Sequence, residues 1–140
     1  MGWIDMNLPT LALSTTLLFT PYQYAQADAR HDTIKEIQCL SAIVYSEARG
    51  ESKTGQLAVA HASINRSKRS DRSICKIKGV TRKTPTLKLQ PYFKQIAKTA
   101  MFTYSTIGKA DSWNTGKKPH SRGDKVKVIQ SHVFYIMASL

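Results

Sequence analysis

Glu47 and Glu51 stand four residues apart with Gly50 between them, and Asp111 and Asp124 are the further acids that bear on the same chemistry. A carboxyl group serves as a general acid near neutral pH when it is held partly out of water. Desolvation penalises its charged form and raises its pKa. Glu47 fits that requirement by spacing: Ile37, Leu40 and Val44 precede it at helical intervals, so a carboxylate ends an apolar stripe. Glu47 is therefore expected to be partly desolvated at the mouth of a buried face, as a general acid for glycosidic cleavage requires. Periodicity alone leaves a second reading open, an ordinary exposed helix-end glutamate or one paired with Arg49. Glu51 is expected to be a structural or assisting carboxylate. Asp111 and Asp124, both read as loop residues, remain the candidates for a second catalytic carboxylate.

The other reactive side chains are few. Cys39 and Cys75 are too far apart for a CxxC redox pair and too few for a zinc ribbon. They are either two buried thiols or, if the chain is exported, one disulfide tying the helix of Glu47 to a basic segment. His61, His120 and His132 show no HxxxH or HExxH spacing, so no metal site is expected.

The elements that must position these groups follow from pattern. Thr33-x-x-Glu36 reads as a capping box opening a helix that Gly50 stops. A second helix starts near Ser52 or Thr54 and runs through Lys68, its Ala58, Ala60 and Ala62 allowing close approach to a neighbour. Arg66 to Lys88 holds nine basic residues and one acid, read as a short helix around Ser73 to Ile77 plus an exposed basic loop. Pro91 suits the first turn of a third helix, with Phe93, Ile96, Ala97, Ala100, Met101 and Tyr104 as its apolar stripe and Gly108 at its end. Lys109 to Lys125 reads as a loop carrying Trp113 and His120. The closing VKVIQSHVFYIMASL is β-branched and aromatic and favours a strand.

The string Cys39 to Glu51, CLSAIVYSEARGE, followed by GQLAVA at Gly55 to Ala60 and Ile64-Asn65-Arg66, closely resembles the SleB-like cell wall hydrolases. These comprise spore-cortex-lytic enzymes and phage or bacterial relatives, with the signature YxEARGE, then GQxAVA, then an NR pair. Ser73-Ile74-Cys75 resembles the family's next cysteine segment, and IQSHVFY at Ile129 to Tyr135 its HxFY ending. The match spans roughly residues 38–80 and, more loosely, 129–135. The family's Gln-Phe-Ser-Trp type segment has no counterpart in Gly79 to Pro91, and its Gly-Ala-x-Phe/Tyr-His region is shortened into Asp111 to Asp124.

The resemblance implies an α+β, lysozyme- or lytic-transglycosylase-like domain, mostly helical with a short β element near the C-terminus. It would cut the MurNAc–GlcNAc linkage of peptidoglycan without a cofactor. The catalytic acid falls on Glu47, acting first as acid and then as base while the muramic 6-hydroxyl closes an anhydro ring. Most hydrolysing glycosidases use two carboxylates instead. Tyr45, Arg49, Glu51, Gln56, Asn65, Trp113, His132 and Tyr135 are the expected substrate-binding or assisting residues. Gln56 and Asn65 either bond sugar amides or brace the helix pair, and His132 and Tyr135 line the cleft or pack beneath it. Tyr45, Tyr104 and Trp113 are stacking candidates; the first two read better as core, whereas Trp113 is open to sugar contact.

Length and charge set the frame. At 140 residues with 41% hydrophobic content the chain suits one modest domain, which excludes a two-domain nucleotide enzyme and a disordered polycation. The formal charge of +12 calls for a polyanionic partner: nucleic acid, an anionic membrane face or the bacterial envelope. Leu8 to Phe19 is a short apolar run, and Ala25-Gln26-Ala27 fits signal-peptide cleavage, so residues 1–27 read as a signal peptide or weak anchor and 28–140 as the catalytic domain. The expectation is an exported, periplasmic or extracellular protein that meets glycan strands and the anionic envelope surface, binds no nucleic acid and is a monomer. The alternatives are a muramidase-type hydrolase, a degenerate glycan binder and a basic nucleic-acid-binding module.

Overall fold

The computed structural model describes the backbone of residues 21–77, 91–115 and 123–137, with side chains from residue 32 onward. Among the described residues, three α-helices pack together against a three-stranded antiparallel sheet, an α+β architecture. The apolar run at 8–19, His120 and the basic loop beyond Ile77 lie outside the described residues.

Helix α1 spans Pro21–Ala48. Its start overturns the capping box expected at Thr33, because a proline is well placed in a first turn and the Ala- and Gln-rich residues after it favour helix. Glu36 is used elsewhere. Its carboxylate accepts the Ser73 hydroxyl and the Ile74 N–H (2.8 Å), anchoring the short helix expected around Ser73 to Ile77, which is a 3₁₀ turn over Ile74–Lys76. The backbone of α1 runs through residue 27, where cleavage was expected. Leu40, Ile43, Val44 and Ala48 form the buried face of α1.

Helix α2, Lys53–Ser70, is capped as Ser52 predicts: the Ser52 hydroxyl accepts the Gly55 N–H (3.4 Å). Its far end closes on Asp71, whose φ of 48° lies in the left-handed region. Gly55, Gln56 and the run Ala58 to Ser63 are buried around the whole circumference, so α2 is the central helix. The small side chains Ala58, Ala60 and Ala62 let its neighbours close in, as expected.

Helix α3, Pro91–Phe102, stops one and a half turns before Gly108. Phe93, Ile96, Ala97 and Ala100 are buried as expected, but Tyr104 is 99% exposed and leaves the stripe. Once the helix ends at Phe102, residue 104 no longer follows the 3.6-residue period that would turn it inward. Gly108 instead takes φ 59° within the following turn.

The segment read as a loop contains a strand, β1 (Ser112–Asn114), and the C-terminal segment forms a hairpin, β2 (Gly123–Ile129) and β3 (His132–Met137). The sheet order is β1-β3-β2, with β3 central. A bulge between Lys125 and Lys127 interrupts the β2–β3 register, and Gln130 turns the hairpin at φ 51°. Phe134, fully buried, inserts from β3 into the core formed by the helices.

His61 shows how the end of α3 is fixed. Its Nδ1 accepts the Thr106 N–H (3.2 Å), while Nε2 faces the Thr103 hydroxyl (3.4 Å), which donates to the Thr99 carbonyl (2.8 Å). That arrangement requires the neutral ring protonated at Nε2. Burial lowers the His61 pKa below the ordinary histidine value, outweighing a backbone hydrogen bond at Ala100 that raises it. The unfolded chain therefore binds the proton more readily. Stability from His61 is complete above about pH 6.5 and is lost as pH falls below it. Thermal melting between pH 7.5 and 5 should show a smaller decline in His61→Gln than in the wild type. Equal slopes in the two proteins would mean that His61 is not the group responsible.

Candidate active site

Glu51, Gln56 and His132 gather where the C-terminus of α1, the N-terminus of α2 and the β2–β3 turn meet, whereas Asn65, Asp111, Trp113 and Tyr135 lie along the far half of α2 and the sheet. Glu47 is exposed, in contrast to the desolvated position expected from the stripe. The buried face of α1 ends on Ala48 instead, and one residue is about 100° of rotation on a helix. Glu47 lies close enough to Arg66 to act among the charges that favour its guanidinium.

Arg66 was not among the expected site residues, although the family's NR pair contains it. It is half-buried. Its Nε donates to the Asp111 carbonyl and an Nη to the Ser112 hydroxyl, both at 2.9 Å, and its guanidinium lies 5.3 Å from the Trp113 ring centre. Desolvation lowers its pKa, against opposing pulls from Asp111 and Glu47 and a further lowering from Arg69; an arginine remains cationic nonetheless. Trp113 therefore lies on strand β1, half-buried against the core and beneath a cation, and not on an open loop.

The remaining carboxylates divide by their partners. Asp111 is 2% exposed, pairs with Arg69 Nε at 2.6 Å and accepts the Met137 N–H at 3.1 Å. It lies just before β1, outside any helix or strand as expected, and it ties α2 to β3 as a structural anchor. Asp124 is an exposed residue of β2. Glu51, 16% exposed at its side chain, accepts the Ser131 hydroxyl and faces His132 Nδ1 at 3.6 Å. Its backbone carbonyl accepts Gln56 Nε2 at 2.9 Å. Gly55 makes this packing possible, since a Cβ there would come within 2.8 Å of Gln130 Oε1 and 3.0 Å of the Glu51 Cβ.

Gln130, also absent from the expected set, accepts both the Ser52 N–H and the Ser52 hydroxyl at 2.8 Å. It holds the hairpin turn onto the start of α2. No periodicity announces it, because its role depends on the turn meeting a helix 78 residues away. His132 is buried, with Nε2 lacking a hydrogen-bond partner, and Gln56 Oε1 and Ser41 Oγ are buried in the same condition. Such atoms are costly unless water or a ligand reaches them.

Asn65 Nδ2 donates to the Gly108 and Ala110 carbonyls at 2.8 and 2.7 Å, so its amide braces the turn after α3. Tyr45 packs edge-on against Phe93 (5.3 Å between ring centres), with the exposed Arg49 over its ring at 5.5 Å. His132 and Tyr135 lie beneath the surface, both nearly inaccessible. The Cys39–Cys75 disulfide is formed, joining α1 to the 3₁₀ turn.

A scan against protein-family models and searches of curated proteins and solved structures find no match to this chain.

Proposed function

We propose that the protein is a peptidoglycan-cleaving glycosidase of the lysozyme and lytic-transglycosylase type, with Glu47 as its general acid and base. The resemblance of the EARGE and GQLAVA strings to SleB-like cell wall hydrolases motivates this reading. The observation that carries it is the division of labour among the acids. Glu51 and Asp111 are committed to Ser131, His132, Arg69 and backbone contacts, whereas Glu47 is open to solvent, within electrostatic range of the half-buried Arg66 but not in contact with it.

In the reaction, the Glu47 carboxyl protonates the glycosidic oxygen as the bond from C1 of MurNAc to that oxygen breaks. Its carboxylate then takes the proton of the MurNAc 6-hydroxyl while O6 bonds to C1, giving a 1,6-anhydro end and a restored acid. One carboxyl suffices for this route. A double-displacement hydrolase needs a second about 5–5.5 Å from the first, and an inverting one a second about 6.5–9.5 Å away. With Asp111 and Glu51 engaged in structural bonds, a two-carboxylate route would have to use Asp124 on β2, whereas the anhydro-forming route needs no second acid.

Digestion of purified sacculi followed by mass spectrometry tests both levels. Anhydro-muramyl ends are the expected product. Reducing ends that have gained one water would replace the transglycosylase with a muramidase. Sacculi that pellet the protein without being cut would leave a glycan binder.

A further inference from the structure

The end of α3 presents an aromatic projection that the catalytic reading does not use. Phe102 is 73% exposed and Tyr104 99% exposed. Placing two large aromatic rings in water sacrifices the gain from burying them. The projection is firmly mounted: His61 holds Thr103 and Thr106 on either side of Tyr104, and Asn65 holds the turn at Gly108 and Ala110.

The surroundings are cationic. Lys98 lies one helical turn before Phe102 on the same side of α3. Lys127 reaches across from β2 to donate to the Thr106 carbonyl at 3.1 Å, and Lys109 is exposed in the adjacent turn. No Asp or Glu occurs between Asp71 and Asp111, so the whole chain segment carrying the projection is free of opposing charge.

Apolar or amphipathic rings ringed by lysines match the interface of an anionic bilayer: the rings enter at the level of the headgroups while the ammonium groups meet phosphates. We propose that Phe102 and Tyr104, with Lys98, Lys109 and Lys127, form a peripheral docking surface for anionic lipid membranes. Among the described residues no helix is long and apolar enough to cross a membrane, and this contact needs none. The lysines around the two rings favour an anionic lipid surface over a neutral glycan chain. The surface does not depend on the reading of Glu47, and its test requires no cleavage.

The full chain is mixed with vesicles of phosphatidylcholine alone or with phosphatidylglycerol. To report locally, Tyr104→Trp is compared with the wild type, so that Trp3 and Trp113 are subtracted as background. On anionic vesicles the added indole should shift to the blue and be quenched by lipids brominated in the acyl chains. Phe102→Ser with Tyr104→Ser should weaken partitioning about tenfold without lowering the melting temperature, and Lys98→Gln with Lys127→Gln should weaken it and reduce its salt dependence. An indole at 104 that keeps its water-exposed emission while the protein is vesicle-bound overturns the proposal. So does a Tyr104→Ser variant that keeps full vesicle binding but no longer pellets with sacculi, which would make the projection a sugar platform.

Discussion

Glu47→Gln should reduce glycan-strand cleavage by about 10²–10⁴-fold, the range over which a positioned general acid contributes. The amide keeps the shape of the side chain and loses the transferable proton. Stability should change little, within about 0.5 kcal/mol, because the side chain is exposed at the last turn of α1 and makes no core contact. The wild type and the variant should therefore melt together and bind sacculi alike, differing only in turnover. Glu51→Gln should behave in the opposite way. Its carboxylate accepts the Ser131 hydroxyl and faces buried His132, so the substitution disturbs the hold of the β2–β3 turn on α2. Full cleavage by Glu47→Gln would remove the proposed mechanism and leave Asp124 as the exposed acid of the original candidates.

The second large effect concerns the Cys39–Cys75 bond. Its sequence separation is 36 residues, and closing a loop of that size stabilises the folded state by about 3–4 kcal/mol through the unfolded chain's lost entropy. For a domain whose whole stability is on the order of 5–15 kcal/mol, that is a large share. Reduction, or Cys39→Ser with Cys75→Ser, should lower the melting temperature by roughly 10–20 °C. The loss is tempered by Glu36, which holds Ser73 and Ile74 onto α1 independently. Combining Glu36→Gln with reduction should consequently release the 3₁₀ turn further than either change alone. If thiol titration finds two free cysteines and the melting temperature has not moved, the loop-closure argument fails for this protein.

Much of the helical scaffold was legible in local pattern. Ser52 predicted the start of α2, the alanines of α2 predicted close packing, and the β-branched C-terminal segment predicted extended structure. Local pattern failed where one residue had two possible employers. Thr33 and Glu36 have capping-box spacing, but Glu36 is taken by the 3₁₀ turn, 38 residues away at Ile74. Tyr104 has helical spacing, but the helix ends before it. Strand β1 was missed because three residues carry little alternation; they are extended because β3 offers Tyr135, Phe134 and Val133 as partners.

The same division runs through the candidate site. By itself the sequence determined which acids and cysteines were available, that the domain would be small, basic and of mixed α and β structure, and that Glu47 would stand at the end of a helix. Those properties depend on composition and on neighbours within one or two turns. Only the tertiary structure decided which acids were free. It buried Asp111 against Arg69, set Glu51 against Ser131 and His132, and left Glu47 in solvent. The reason is physical: a carboxylate's role depends on the donors and water around it, and for Asp111 and Glu51 those donors come from residues 26 to 81 positions away along the chain.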